Sequence, residues 1–315
     1  MPRWRPDASL ATLKARAELC GSVRAFFMAR GVLEVETPIL SAHATVDRFI
    51  ESFSTVDGRW LQTSPEFAMK RLLAAGSGPI FQIARVFRLE EQGRHHNPEF
   101  TMLEWYRPGF SMQQLMDEVE ALMRALVGGA GGFQRLSYRD AFLRHAGFDP
   151  HSADATQMRA AAMAAELISA ADFANEPAGF WLDLWMSRVV SPALGAAQPA
   201  FVYDFPASQA ALAQVRQGPP PVAERFELFW RGIELANGFH ELADAKEQRG
   251  RFEADQRYRC AAEQVVPPYD AHLIAALEAG LPDCSGVALG LDRVLMLKLG
   301  LSDLAQTLAF AADRA

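Results

Sequence analysis

Apolar residues recur at Leu10, Leu13, Ala17, Cys20 and Phe27, three or four positions apart with one longer gap. That spacing predicts an amphipathic helix over residues 10–30, closed by Gly31. The next run, Val32-Leu33-Glu34-Val35-Glu36-Thr37-Pro38, alternates briefly and stops at a proline, as an edge or interface strand does. Ser64-Pro65-Glu66 reads as a helix start, with Ser64 as N-cap and Pro65 at the first helical position, the helix running to about Gly76. Over residues 80–90 the period drops to two. Phe81, Ile83, Phe87 and Leu89 share a face expected to be core; Gln82, Ala84, Val86, Arg88 and Glu90 share the other. A polar loop, Glu91-Gln92-Gly93-Arg94-His95-His96-Asn97-Pro98, leads into a second alternating run in which Phe100, Met102, Glu104 and Tyr106 share a face. The two runs predict an antiparallel hairpin.

A second hairpin is predicted at residues 227–241, turning at Arg231-Gly232. Residue 229 then faces 234, so Glu227 and Glu234 fall on one face as diagonal neighbours, about 7–8 Å apart. Residues 285–296 read as a short strand, a glycine turn and a helix. Gly128-Gly129-Ala130-Gly131-Gly132 and Pro219-Pro220-Pro221 punctuate the chain, with an Ala-rich, mostly helical stretch between them. One catalytic domain over residues 1–315, carrying a mainly helical insertion at about 133–222, is more economical than two independent domains.

Composition narrows the function classes. Half of the 315 residues are hydrophobic and 22% are charged, which fits a globular protein with a sizeable core. The formal net charge of −7 argues against a surface devoted to nucleic acid. Arg outnumbers Lys 27 to 4, a skew that reads as coding bias before function. No segment approaches the roughly 18 consecutive apolar residues of a membrane span. The N-terminus lacks an apolar signal core, so the cytoplasm is the expected compartment. Cys20, Cys260 and Cys284 are scattered, which indicates neither a disulfide framework nor a zinc site. His43, His145, His151 and His272 are isolated and read as structural or surface residues, and Trp181 and Trp185, at helical spacing, as core.

Near the first hairpin loop Arg, Glu, His, Asn and an aromatic ring converge, a set suited to an anionic ligand carrying a planar base. The bland alternative for Arg88 and Glu90 is a surface salt bridge. A Mg²⁺ ion could bridge Glu227 and Glu234 and keep its other positions for phosphate and water; the alternative is that both acids pair with Arg225 and Arg231. The helix start after Gly290 favours a phosphate, with Arg293 one turn in. Neither GxGxxG nor GxxxxGK[ST] is present, which disfavours Rossmann and P-loop folds.

Taken together, these pieces resemble the three signature motifs of class II aminoacyl-tRNA synthetases: the helix, strand and proline ending at Pro38; Phe87-Arg88-Leu89-Glu90 with its loop and returning strand; and Gly290-Leu291-Asp292-Arg293. His96-Asn97-Pro98-Glu99-Phe100-Thr101 and Glu234-Leu235-Ala236-Asn237-Gly238-Phe239-His240-Glu241-Leu242 resemble the lysyl-tRNA synthetase branch. The resemblance runs from about residue 10 to the C-terminus. It implies an α+β fold, the class II catalytic core, with an antiparallel β-sheet flanked by helices and a homodimer built through the first motif. Two departures stand out. No room remains for the N-terminal anticodon-binding barrel, so tRNA binding is not expected. The glycine pattern before Asp292-Arg293 is broken by Ala288, whose methyl would project towards the amino-acid pocket. Both features, with Pro282-Asp283-Cys284-Ser285-Gly286, look like the truncated lysyl-synthetase paralogues that attach (R)-β-lysine to a lysine side chain of elongation factor P.

The resemblance implies the following roles. Arg88 holds the α-phosphate of ATP and the substrate carboxylate, and Arg293 the γ-phosphate; these two are the expected catalytic residues. His96 and Asn97 assist from the loop, adenine stacks between Phe100 and Arg293, and Glu90 meets its amino edge. Leu228 and Gly290 complete the ATP site, and Glu227 and Glu234 hold Mg²⁺. Ser64, Glu66, Glu104, Tyr106, Glu234, Asn237, Glu241 and Ala288 form the amino-acid site, with Glu66 near the backbone amino group and Glu104, Tyr106 and Glu241 around the side-chain ammonium. Three carboxylates suit a dication and would be costly against a neutral amino acid. Two other functions stay open at this point: a lysine-activating enzyme serving tRNA or a small molecule, and a non-catalytic regulatory paralogue.

Overall fold

The computed structural model describes residues 4–89, 91–128, 131–169, 173 and 176–315. The chain forms two compact units, residues 1–129 with 241–315 (unit 1) and residues 130–240 (unit 2).

Unit 1 begins with α1 (Leu10–Met28), where the Ser9 hydroxyl accepts from the Thr12 amide at 3.1 Å. The buried side of α1 is Leu19, Val23, Phe26 and Phe27; Leu10 and Ala17 are exposed, so the stripe expected from the N-terminal apolar residues is corrected. The bulky residues decide. Phe27 stacks on Phe81 with ring centroids 4.7 Å apart and lies 5.2 Å from Trp105. Gly31, at a φ of 67°, lets the chain reverse into β1 (Leu33–Glu34). β2 (Leu40–Ser41) and β3 (Trp60–Leu61) form a small separate pair. α2 (Glu66–Ala74) starts one residue later than expected: Pro65 is its cap, while the Ser64 hydroxyl accepts the Glu66 amide at 2.9 Å.

The predicted hairpin is β4 (Ile80–Phe87) and β5 (Glu99–Pro108), antiparallel with Ile80 opposite Tyr106 and Phe87 opposite Glu99. Its faces differ from expectation. Phe81 is core, but Ile83 and Phe87 are half-buried and Leu89 is exposed, whereas Gln82, Ala84 and Val86 are buried. Ala84, Val86 and Met102 pack together with Phe100 and Ala288 against them, so the face carrying the polar residues is itself closed around an apolar patch. α3 (Met112–Val127) follows, opened by a Ser111–Gln114 capping box.

Unit 2 contains β6 (Gln134–Ser137), α4 (Tyr138–His145), α5 (Ala155–Ala164), α6 (Ala178–Trp185), α7 (Ser191–Ala193), β7 (Ala200–Pro206), β8 (Val215–Arg216), β9 (Val222–Trp230) and β10 (Ile233–His240). Its strands run β10-β9-β7-β6, antiparallel except for the parallel β6/β7 pair, with β8 on β9. Tyr138, Phe142, Trp181, Trp185 and Phe205 fill its core, which places both tryptophans as expected.

The chain then returns to unit 1 with α8 (Ala245–Ala261), α9 (Ala271–Gly280), β11 (Cys284–Gly290) and α10 (Leu291–Lys298). β11 pairs antiparallel with β5, and β1 pairs parallel with β4, so unit 1 carries the strand order β1-β4-β5-β11. α10 follows β11 directly, with Gly290 as cap and no separate turn. The class is α+β. Among the described residues no helix is long and apolar enough to cross a membrane.

Candidate active site

Strand period two, the start of α2 and the segment just before α8 bring Ser64, Glu66, Glu104, Tyr106, Glu241 and Ala288 together inside unit 1. Tyr106 and Glu104 share a face of β5, with Gly286 and Ala288 of β11 standing opposite them. The Tyr106 hydroxyl donates to Glu104 Oε1 at 2.6 Å and the Ser64 hydroxyl to Glu104 Oε2 at 2.8 Å. Glu241 is fixed beside β11, its amide donating to the Cys284 carbonyl at 2.9 Å. A Cβ added at Gly286 would lie 2.3 Å from the Tyr106 ring and 2.5 Å from Glu241 Oε1, so a glycine is what lets ring and carboxylate approach this strand.

One residue the sequence reasoning missed joins them. Lys70 Nζ lies 2.7 Å from Glu66 Oε1 and 2.5 Å from Glu241 Oε2. The three carboxylates are therefore not left wholly to an incoming dication, because the chain supplies one ammonium of its own. The i,i+4 spacing of Glu66 and Lys70 on a helix was the available signal, but that spacing ordinarily marks a solvated surface pair. Burial works against the Lys70 charge, and the adjacent Glu241 and Glu66 carboxylates more than offset it, holding its pKa above the ordinary lysine value. Burial and the negative Glu66 push Glu104 up to about 8, even though two hydroxyls stabilise its charged form. Burial and the same carboxylates raise Tyr106 well above the usual phenol range.

The hairpin loop forms a second, cationic cluster in unit 1. The Arg88 amide donates to the Pro98 carbonyl at 2.9 Å, which closes the loop just past β4. Its Nη1 donates to Glu91 Oε1 at 3.0 Å, and its guanidinium carbon sits 5.2 Å from the Phe100 ring centroid. Arg88 Nε is buried with no hydrogen-bond partner among the described residues. Arg293, on the first turn of α10, donates from Nε to the His95 carbonyl at 3.3 Å. Burial, with Arg94 and Arg293 nearby, lowers the His95 pKa. His96 Nε2 lies 3.7 Å from Glu91 Oε2. Asn97 is occupied in shaping the loop: its amide nitrogen donates to the Glu99 carbonyl at 2.6 Å and its oxygen accepts from the Ala312 amide at 3.1 Å. Glu90 lies outside the described residues.

What aims Arg293 is its neighbour. Asp292 accepts the Thr101 amide at 2.7 Å and pairs with Arg16, whose Nη1 also donates to Thr101 at 3.3 Å. The start of α10 is thereby tied to β5 and α1. Sequence reasoning gave Asp292 and Arg16 no part in this.

In unit 2 the β9/β10 turn falls at Arg231 and Gly232 (φ of 52° and 73°), as expected, and Glu234 stands opposite Phe229. The register then shifts between Glu234 and Ala236, so Glu227 faces Asn237 where regular pairing would have set it opposite Ala236. This bulge brings Asn237 onto the face of Glu227 and Glu234. Asn237 Oδ1 is buried without a hydrogen-bond partner among the described residues. Glu227 pairs with Arg225, as the bland alternative held for that residue. Burial, only partly relieved by Arg225 and reinforced by Glu234, pushes its pKa up to about 7. Two carboxylates on one face are hard oxygen donors of the kind Mg²⁺ takes, although among the described residues no group of three or more metal-ligating side chains gathers. The Leu228 side chain is fully buried, and strand alternation points it to the face opposite Glu227.

Comparison with known proteins agrees with these features. Residues 3–314 match the family described as tRNA synthetases class II (D, K and N). A protein of Salmonella typhi named elongation factor P--(R)-beta-lysine ligase is 51% identical over 321 residues, covering 99% of this chain and 98% of that one. One of the same name from Edwardsiella ictaluri is 51% identical over 324 residues, covering 100% and 99%. The chain belongs to the class II tRNA synthetase family that comprises the D, K and N enzymes.

Proposed function

We propose that the chain is an ATP-dependent ligase that adenylates a lysine-like amino acid, (R)-β-lysine, and transfers the acyl group to a lysine side chain of elongation factor P. The observation that carries the amino-acid class is the buried pocket of Glu66, Glu104 and Glu241 around the single ammonium of Lys70. With Glu104 ionised, its net charge of about −2 matches the two ammonium groups of a diamino acid, and a neutral side chain would leave those charges uncompensated. Glu104, with a pKa of about 8, is largely protonated near neutral pH and ionises as an ammonium arrives beside it. The acceptor and the β-isomer follow the names of the relatives.

In the first step a substrate carboxylate oxygen attacks the α-phosphorus of ATP, the bond to the bridging oxygen breaks, and pyrophosphate leaves. Two anions must meet for this, so the cationic loop does the main work: Arg88 holds the α-phosphate and carboxylate, and Arg293 the γ-phosphate. Phe100 offers its face to adenine. In unit 2, Glu227 and Glu234 would hold Mg²⁺, which supplies further neutralisation of phosphate charge. Asn237 Oδ1, without a hydrogen-bond partner among the described residues, adds an acceptor on the same face of unit 2. In the second step the acceptor amine attacks the acyl carbon and AMP leaves, its phosphate available to take the amine proton. The same reading makes the protein a homodimer of the cytoplasm, and light scattering of the purified chain checks the dimer.

The test is ATP–pyrophosphate exchange with (R)-β-lysine and α-lysine, followed by transfer of labelled amino acid to elongation factor P or to tRNA. Exchange with (R)-β-lysine and label on the factor are expected; label on tRNA alone, or no exchange, overturns the proposal. Glu241→Gln is expected to lower exchange by at least a hundredfold while circular dichroism stays native. Normal exchange by that variant removes Glu241 from the pocket.

A further inference from the structure

Lys70 follows Glu66 by one turn of α2, and its side chain is 2% exposed. An ammonium held there carries a desolvation penalty that an apolar side chain of similar length would avoid. It faces two carboxylates from distant segments, Glu66 on α2 and Glu241 just before α8. Under the proposed function these two belong to opposite ends of the substrate, Glu66 to the amino group near the reacting carboxylate and Glu241 to the distal ammonium. Glu104 is held separately by the Ser64 and Tyr106 hydroxyls. Glu241 is confined from a second side as well: Oε2 meets Lys70, while Oε1 backs onto Gly286 and leaves no room for a Cβ there.

We infer that Lys70 is a specificity-determining positioning residue: an internal ammonium strut that ties Glu66 to Glu241 and so sets the spacing between the two ammonium-binding ends of the pocket. The inference rests on the pocket reading given under the proposed function. Diamino acids differ in the separation of their ammonium groups, and moving an amino group by one carbon changes it by about one C–C bond, roughly 1.5 Å. Two carboxylates each ion-paired with one buried ammonium resist a displacement of that size; two independently mobile carboxylates accommodate it. Lys70 takes one oxygen of each carboxylate, Oε1 of Glu66 and Oε2 of Glu241.

The experiment compares wild type, Lys70→Met and Lys70→Arg in ATP–pyrophosphate exchange with (R)-β-lysine, α-lysine and ornithine, after thermal unfolding has shown which variants are folded. In Lys70→Met the ratios of kcat/KM between these amino acids are expected to move towards one by tenfold or more, mainly through KM. Lys70→Arg keeps the charge but replaces a point donor by a wide planar fork, so its ratios are expected to shift too. A uniform loss with unchanged ratios, or unchanged kinetics, overturns the inference. If the Met variant does not fold, the Arg variant decides by the same ratios. Failure of the underlying pocket reading looks different: the wild type itself would then exchange with none of the three.

Discussion

Gly286 shows how much one absent side chain decides. Its built Cβ would stand 2.3 Å from the Tyr106 ring, closer than real contacts allow, and the ring is anchored to Glu104 by a 2.6 Å hydrogen bond. Gly286→Ala must displace either the ring or the strand. Overpacking of this kind costs about 1–3 kcal/mol. The expected outcome is a lower thermal midpoint and a loss of lysine-dependent exchange of at least tenfold, measured by calorimetry and exchange assay. The polar residues of this pocket were largely legible in the sequence, because Glu104 and Tyr106 at i and i+2 must share a strand face. Lys70 was not: nothing in Glu66-Phe67-Ala68-Met69-Lys70 distinguishes a surface pair from one that a third carboxylate, 171 positions further on, draws into the interior.

At the scale of elements, α8 holds the exit of β4 through a residue the sequence left unremarked. Arg259 is buried, donating to Glu51 Oε1 and to the Asp47 and Val265 carbonyls at 2.6–2.7 Å. The Glu51 carbonyl in turn accepts the Leu89 amide at 2.9 Å, the peptide after Arg88. Arg259→Met removes the donor to Glu51 and to three carbonyls, those of Asp47, Ile50 and Val265. It is expected to destabilise the protein by about 3 kcal/mol, in the range for breaking a buried pair, and to raise KM for ATP more than KM for the amino acid. Denaturant unfolding and steady-state kinetics check the two parts, and an unchanged ATP KM removes the link to Arg88. Both hairpins were readable from period two and their turn residues. The extra residue in β10 was not, since Glu234-Leu235-Ala236 alternates no differently from a regular strand, and the bulge shows only in pairing with β9. In α1, spacing alone chose Leu10 and Ala17, while the larger buried volumes of Phe26 and Phe27 set the face that packs.

Over the whole molecule, buried carboxylates shape the pH dependence of stability. Glu104 (about 8) and Glu227 (about 7) hold protons in the folded chain that the unfolded chain has already released, and burial raises Glu118, Asp204 and Asp255 in the same sense. Where the folded state binds more protons, stability falls as pH rises, from the unfolded carboxylate range up to the folded pKa. His95, His145 and His151, lowered by burial, act oppositely below about pH 6.5. The thermal midpoint is therefore expected to fall between about pH 6.5 and 8, and Glu104→Gln to flatten the upper part of that fall; a midpoint independent of pH there contradicts the assignment. The linear pattern alone established the α+β class, the two hairpins, the family resemblance and most of the chemistry-bearing residues, because period, turn residues and motif order are local properties of a chain. Packing decided the rest: which side of α1 is buried, the one-residue shift that aligns Asn237 with Glu227, the occupation of Asn97 by the loop, and the ammonium of Lys70 between two carboxylates. Each of these depends on the volume and charge of partners remote in sequence, and such partners meet only once the backbone has closed around them.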